Sequence, residues 1–228
     1  NVASRLPVDT DQFIYARWDE GQRRVKLEAS TEGHETAGDH EVKAGDPSRT
    51  LVGMGRPFEQ RHRHYHWAHR PDSLRILTRH NRRERTSRKS LPGEHEISFS
   101  DWDEVSADFR MEFLAWGDAP VSITASGEVR GEGDIPCLAL GFGGGASGEG
   151  KADLSPDPAG NGWRPFTISL EKTFSAEGNQ SITLLGRAGP GGLIKVRGAT
   201  LSISLMGCAA LPSIKKPGYR GRTSMTTA

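Results

Sequence analysis

Between positions 109 and 129 apolar and polar side chains change places at every second residue, a period that no helix can satisfy. Phe109, Met111 and Phe113 alternate with Arg110 and Glu112; beyond Gly117-Asp118-Ala119-Pro120, Val121, Ile123 and Ala125 alternate with Ser122, Thr124 and Ser126. Strand side chains point to opposite faces in turn, so this spacing lays an apolar row against a core and leaves a polar row in water. Two such limbs around a Gly/Asp/Pro break predict a hairpin, and a lone hairpin is not stable in water. A second sheet is required.

The same grammar runs through the chain. Phe13 to Trp18, the Asp19-Glu20-Gly21-Gln22 turn and Val25 to Ala29 read as strand, turn, strand. A polar loop is expected over 31–39, a short strand at 41–43, a turn at Gly45-Asp46-Pro47 and an apolar strand over 49–54. A strand is predicted over 73–80, with helix as the alternative, and a boundary near residue 90 after the basic run. Further strands are expected over 136–142, 166–171, 181–185, 193–197 and 199–206, with a loop from Gly143 to Gly162. Regular strands with short turns and no helical pattern predict an all-β, antiparallel, jelly-roll-like β-sandwich over 91–207. A β-rich N-terminal subdomain over 1–90 precedes it and an extended, polar, basic tail over 208–228 follows. That tail is not expected to fold without a partner.

At 228 residues and 24.8 kDa the chain is long enough to bury a core, and 28 Gly and 13 Pro beside 34% hydrophobic residues favour short strands and many turns. The formal net charge of +1 says nothing about partners, but basic residues crowd positions 56–89. Cys137 and Cys208 make no disulfide framework, which suits synthesis in a reducing cytosol. No apolar run reaches membrane-spanning length and no signal peptide is visible, so membrane insertion is not expected.

Leu51-Val52-Gly53-Met54, the strand ending His80-Asn81-Arg82-Arg83, Met111-Glu112-Phe113-Leu114-Ala115-Trp116-Gly117-Asp118 and Thr183-Leu184-Leu185-Gly186-Arg187 follow in an order that resembles distal fibre or spike proteins of tailed phages and gene-transfer-agent particles. The resemblance spans roughly Phe13 to Met206 and implies a β-rich virion appendage on the virion surface, made in the host cytoplasm. It also implies assembly with copies of itself and other virion proteins, and contact with host cell-surface polysaccharide. The His/Arg-rich stretch departs from that pattern, so any role given to it is local inference.

In that stretch, His62, His64 and His66 would share one face of a strand and supply nitrogen ligands to a transition metal, but Arg61, Arg63 and Arg70 repel a cation. An exposed polar loop is the plain alternative. The run from Arg79 to Lys89, with Arg82, Arg83 and Arg85, offers planar guanidinium forks for an anionic glycan, and Tyr65 and Trp67 offer rings for stacking on sugar. Against it stands a solvated loop, or one neutralised by an acidic neighbour in an assembly. Trp163 is a sugar-stacking candidate weighed against core packing; Trp116 is expected in the core. Asp101, Asp103, Glu104 and Asp108 around Trp102 read as surface acids rather than a glycosidase pair or a calcium loop. No nucleic-acid signature is present, and no cofactor or enzymatic activity is expected.

Three functions follow in order of preference. The first is a non-enzymatic appendage, on head or tail, that binds polysaccharide during adsorption. The second is a structural connector without glycan binding. The third is a polysaccharide depolymerase.

Overall fold

A computed structural model of the chain describes residues 7–57, 59–61, 64–66, 75–79, 84–132, 137–143, 148–153 and 162–205. The N-terminal part is built on β1 (Gln12–Asp19), β2 (Arg24–Ser30), β3 (His34–Ala37), β4 (His40–Lys43) and β5 (Asp46–Gly55), followed by a small hairpin of β6 (Glu59–Arg61) with β7 (His64–His66), and by β8 (Ile76–Thr78). The main sheet runs β2-β1-β5-β4-β3, all antiparallel, with β8 continuing the β4 edge of β5. Positions 31–39, expected as a loop, contain β3. Its sequence His-Glu-Thr-Ala has no apolar alternation, and its pairing with β4 supplies the order that side-chain pattern does not.

The remaining strands are β9 (Arg85–Ser90), β10 (Glu94–Ile97), β11 (Asp103–Glu104), β12 (Met111–Ala115), β13 (Pro120–Glu132), β14 (Cys137–Phe142), β15 (Gly148–Asp153), β16 (Arg164–Thr173), β17 (Gly178–Arg187) and β18 (Leu193–Leu205). In one sheet β9 and β10 lie end to end along β18, and β13 and β16 follow. In the other, β11 and β12 lie end to end along β17, and β14 and β15 follow. Counting each interrupted pair as one strand, the chain visits the first sheet, the second, the first, the second twice, the first, the second and the first. That is the jelly-roll order of an antiparallel sandwich. By pairing, β9 belongs to this sandwich although it precedes residue 90.

The organising stretch folds differently from the expected hairpin. Phe109, placed on a strand by its spacing, ends a 3-10 turn over Ala107–Phe109, and the strand begins at Met111. β12 pairs with β17 while β13 pairs with β16 and β18, so the Gly117-Asp118-Ala119-Pro120 break carries the chain from one sheet to the other. Met111 and Phe113 therefore meet Val121, Ile123 and Ala125 across the core instead of beside them, and all five are fully buried. Alternation fixes which face a side chain takes, not which strand lies next to it. Burying an Ile or Phe side chain of this kind contributes about 1.5–3 kcal/mol.

One expected loop holds a strand, and one expected break between strands is bridged. β15 lies within 143–162, and the Arg197 to Ala199 break is a bulge in one continuous β18, where Gly198 takes φ +57 and the register with β13 shifts between Ser126 and Glu128. Gly127 faces this bulge, and a Cβ there would come within 2.9 Å of Ala199 Cα. Tyr15, Leu51, Met54 and Leu77 of the N-terminal sheet join the same apolar core as the sandwich. The tail over 208–228 lies outside the described residues.

Candidate functional site

The outer face of the sheet formed by β9, β18, β13 and β16 follows directly from its register. Ser90, Thr200, Ser126 and Thr167 form one row across the strands; Arg88, Ser202, Thr124 and Ser169 the next; Thr86, Ser204, Ser122 and Glu171 the third. Every position except Arg88 and Glu171 carries a hydroxyl. The residues between them in sequence, among them Ile123, Ala125, Ile168, Leu201 and Ile203, are buried, so the hydroxyl residues stand on the opposite face, half-buried on the two central strands and exposed on the two flanking ones. Strand spacing sets the field at about 4.8 Å across strands and about 6.8 Å along them. The side-chain bonds inside it are long or peripheral: Thr124 Oγ1 lies 3.4 Å from Ser169 Oγ, Thr86 Oγ1 donates to Ser204 Oγ at 3.4 Å, and Ser204 Oγ donates to Glu84 at 3.0 Å. A hydroxyl donates once and accepts twice, so such a surface can meet hydroxyl-rich ligands in many orientations.

Beyond the bulge the same face becomes charged and aromatic. Glu128 accepts from Arg197 Nε at 2.7 Å, and the Arg197 guanidinium carbon lies 4.1 Å from the centre of the Trp163 ring. Arg130 approaches that ring at 5.5 Å. Trp163 immediately precedes β16 on the face of Thr167 and Ser169, and it is half-buried outside the apolar core. Core packing, the reading preferred for it from sequence, is not seen among the described residues. Its stacking capacity is shared with two guanidinium groups, which hold the ring in place.

A second concentration of polar residues joins the N-terminal sheet to the sandwich. His34 of β3 sits between two carboxylates, with Nε2 2.6 Å from Glu177 and Nδ1 3.6 Å from Glu41, and packs edge-on against Phe13 and Trp116. Arg79, just after β8, grips Glu41 through Nε and Nη2, donates to Asp118 at 3.1 Å and lies 5.0 Å over the Trp116 ring. Arg75 donates to Asp9 at 2.9 Å and Glu112 at 3.2 Å, and Asp11 accepts from Arg56 and from the Asn179 backbone N–H. Gly178 takes φ +110 beside Asp11, and a Cβ there would collide with that carboxylate. Tyr15 donates to the carbonyls of Glu32 and Gly33; burial first, then Glu32, Glu177, Glu28 and Glu41, push its pKa up to about 12. Facing acids and bases here bond each other, which fixes one sheet on the other. His34, Glu41 and Glu177 were not singled out from sequence; His34 and Glu177 are 143 positions apart, and no spacing signals their meeting.

Most of the sequence-derived candidates have side chains outside what is described. Arg63, Trp67, Arg82, Arg83 and His62 lie outside the described residues, and of Arg61, Tyr65, His64 and His66 only the backbone is described. Arg61 pairs opposite His64 in the β6–β7 hairpin, and the candidate histidine row of His62, His64 and His66 falls on side chains outside what is described. Arg85 and Lys89 lie on β9 rather than in a grasping loop, Lys89 Nζ donates to the Arg110 carbonyl, and Arg79 is bound to Glu41 and Asp118. Of the described residues of the basic run, Arg79 thus belongs to the seam and Arg85, Arg88 and Lys89 to a strand. Trp116 is in the core as expected. Asp101, Asp103 and Asp108 are exposed, Glu104 accepts from Arg110 at 2.6 Å, and Trp102 lies beneath Arg187 and Lys151. Among the described residues no group of three His, Cys, Asp or Glu side chains is placed to hold a metal ion.

No family model and no curated protein matches the chain. Solved structures are similar only distantly. The infectious bursal disease virus Gx strain structure is 10% identical over 91% of this chain and 54% of its own, with a TM-score of 0.39. The insecticidal delta-endotoxin Cry8Ea1 from Bacillus thuringiensis is 10% identical over 88% and 42%, with a TM-score of 0.34. BuGH86wt in complex with neoagarooctaose is 12% identical over 90% and 29%, with a TM-score of 0.31. The chain spans about half or less of each of these proteins, and likeness this distant assigns no function.

Proposed function

We propose that this chain is a non-enzymatic attachment module of a virion appendage, and that the outer face of β9, β18, β13 and β16 binds host surface polysaccharide. The observation that carries the binding role is the hydroxyl field ending at Trp163, Arg197 and Arg130. Its rows match a ligand that is itself an array of hydroxyls, and the ring with its guanidinium neighbours supplies an apolar surface and positive charge for an acidic sugar. Each sugar unit contributes little, so useful affinity comes from repeating contacts along the polymer and from several copies of the chain acting together. The virion setting is supported by the ordered sequence blocks and by a fold class that serves both capsid and lectin domains, which is analogy.

The decisive experiment is binding of the purified chain to an array of bacterial capsular and lipopolysaccharide glycans, repeated with Thr124→Arg and Ser202→Arg, which raise bulky groups in the middle of the field. Selective binding by the parent and its loss in both variants is the expected result. No glycan preference in the parent, or binding untouched by either substitution, overturns the proposal.

A further inference from the structure

Trp18, Val25 and Leu27 are 55%, 60% and 52% exposed, and they cluster on the β1–β2 hairpin, while the other exposed large hydrophobics among the described residues, Val8 and Phe99, lie elsewhere. Trp18 pairs opposite Val25 and Ala16 opposite Leu27, so these side chains share the outer face of the N-terminal sheet. Its inner face, with Tyr15, meets the sandwich. β2 is also the last strand of its sheet, and among the described residues no strand pairs with its far edge. An open edge bordered by exposed apolar side chains is a site for strand addition.

We propose that this edge is the dimer interface of the protein, with β2 pairing antiparallel to β2 of a second copy about a twofold axis at Leu27. The strand is complementary to itself in that register. Val25 faces the partner's Ala29 and Leu27 faces the partner's Leu27, so the twofold repeats the apolar contact on both sides of the axis, while on the opposite face Lys26 and Glu28 keep their own chain's ion pairs, with Asp19 and with Arg49 and Lys43. The flanking Trp18 rings extend the apolar strip. Two six-stranded sheets become one continuous sheet, and two hydroxyl faces are linked in one particle. The register comes from β2 alone and stands whether or not those faces bind sugar.

Light-scattering mass measurement of the full chain is expected to give twice 24.8 kDa, and Leu27→Arg, which sets like charges across the axis, is expected to weaken dimerisation by at least about tenfold with unchanged circular dichroism. Because residues directly opposite in an antiparallel pair bring their Cβ atoms within about 5.5 Å, Leu27→Cys is expected to cross-link to its own copy under oxidised glutathione. Val25→Cys cross-links slowly, since its counterpart is Ala29, and Val25→Cys with Ala29→Cys restores the link. A monomeric or trimeric parent, a dimer indifferent to Leu27→Arg, or cross-linking of Leu27→Cys no faster than of Val25→Cys overturns the proposal.

Discussion

Two polar surfaces of this molecule differ in what their side chains bond. At the seam between the N-terminal sheet and the sandwich, His34, Glu41, Arg79, Asp118 and Glu177 satisfy one another. On the outer face of β9, β18, β13 and β16, side chains of similar polarity stand in rows with few bonds among themselves. A polar cluster closed on itself rigidifies a structure, whereas one with open donors and acceptors is available to a ligand. The seam is accordingly expected to govern stability and the outer face to govern binding, with little exchange between the two.

The largest effect expected at the seam is from Arg79→Ala. It removes the guanidinium that grips Glu41 and leaves that carboxylate only the His34 ring 3.6 Å away, with side-chain exposures of 15% and 17% for Arg79 and Glu41, and is expected to cost about 3 kcal/mol in denaturant unfolding. A loss below about 0.5 kcal/mol erases the distinction. Next comes Tyr15→Phe, which removes the bond to the Glu32 and Gly33 carbonyls and is expected to cost about 1 kcal/mol. The raised pKa gives the alkaline sign: the neutral hydroxyl contributes fully below the unfolded value of 10.0, and that contribution is lost as pH rises towards about 12. Parent stability is therefore expected to fall more steeply than that of Tyr15→Phe above pH 10, as read from unfolding midpoints across that range.

On the outer face the order reverses. Trp163→Ala is expected to lower polysaccharide affinity by roughly tenfold, a change of about 1.4 kcal/mol, in a direct binding titration. Smallest of all, Thr124→Ala is expected to change stability by less than about 0.5 kcal/mol while still weakening binding. A Thr124→Ala protein that is markedly destabilised would make the field structural and collapse the comparison.

The hydroxyl rows were legible as rows. Ser122, Thr124 and Ser126, Thr167 and Ser169, and Ser202 and Ser204 each alternate with apolar residues, and each points outward as that spacing requires. What sequence did not disclose is that they lie side by side, because a jelly roll sends consecutive strands to different sheets and pairs residues such as Ser126 and Thr200. Composition is most unusual elsewhere, at Arg61, Arg63, Tyr65, Trp67 and the basic run. Trp163 is conspicuous in the sequence as a ring beside a Gly/Pro-rich segment. The guanidinium groups that hold it come from β13 and β18, and no local pattern joins them to it.

The last strand of the sandwich is also a central one: β18 carries β13 on one side and β9 with β10 on the other. A ribosome releasing this chain can let β1, β2 and β5 close early, but the sheet that bears the hydroxyl field has no middle until residue 205 emerges. The hydroxyl field is thus assembled only once β18 has emerged, and a nascent chain stopped anywhere before Leu193 leaves β9 and β13 without the neighbour that joins them.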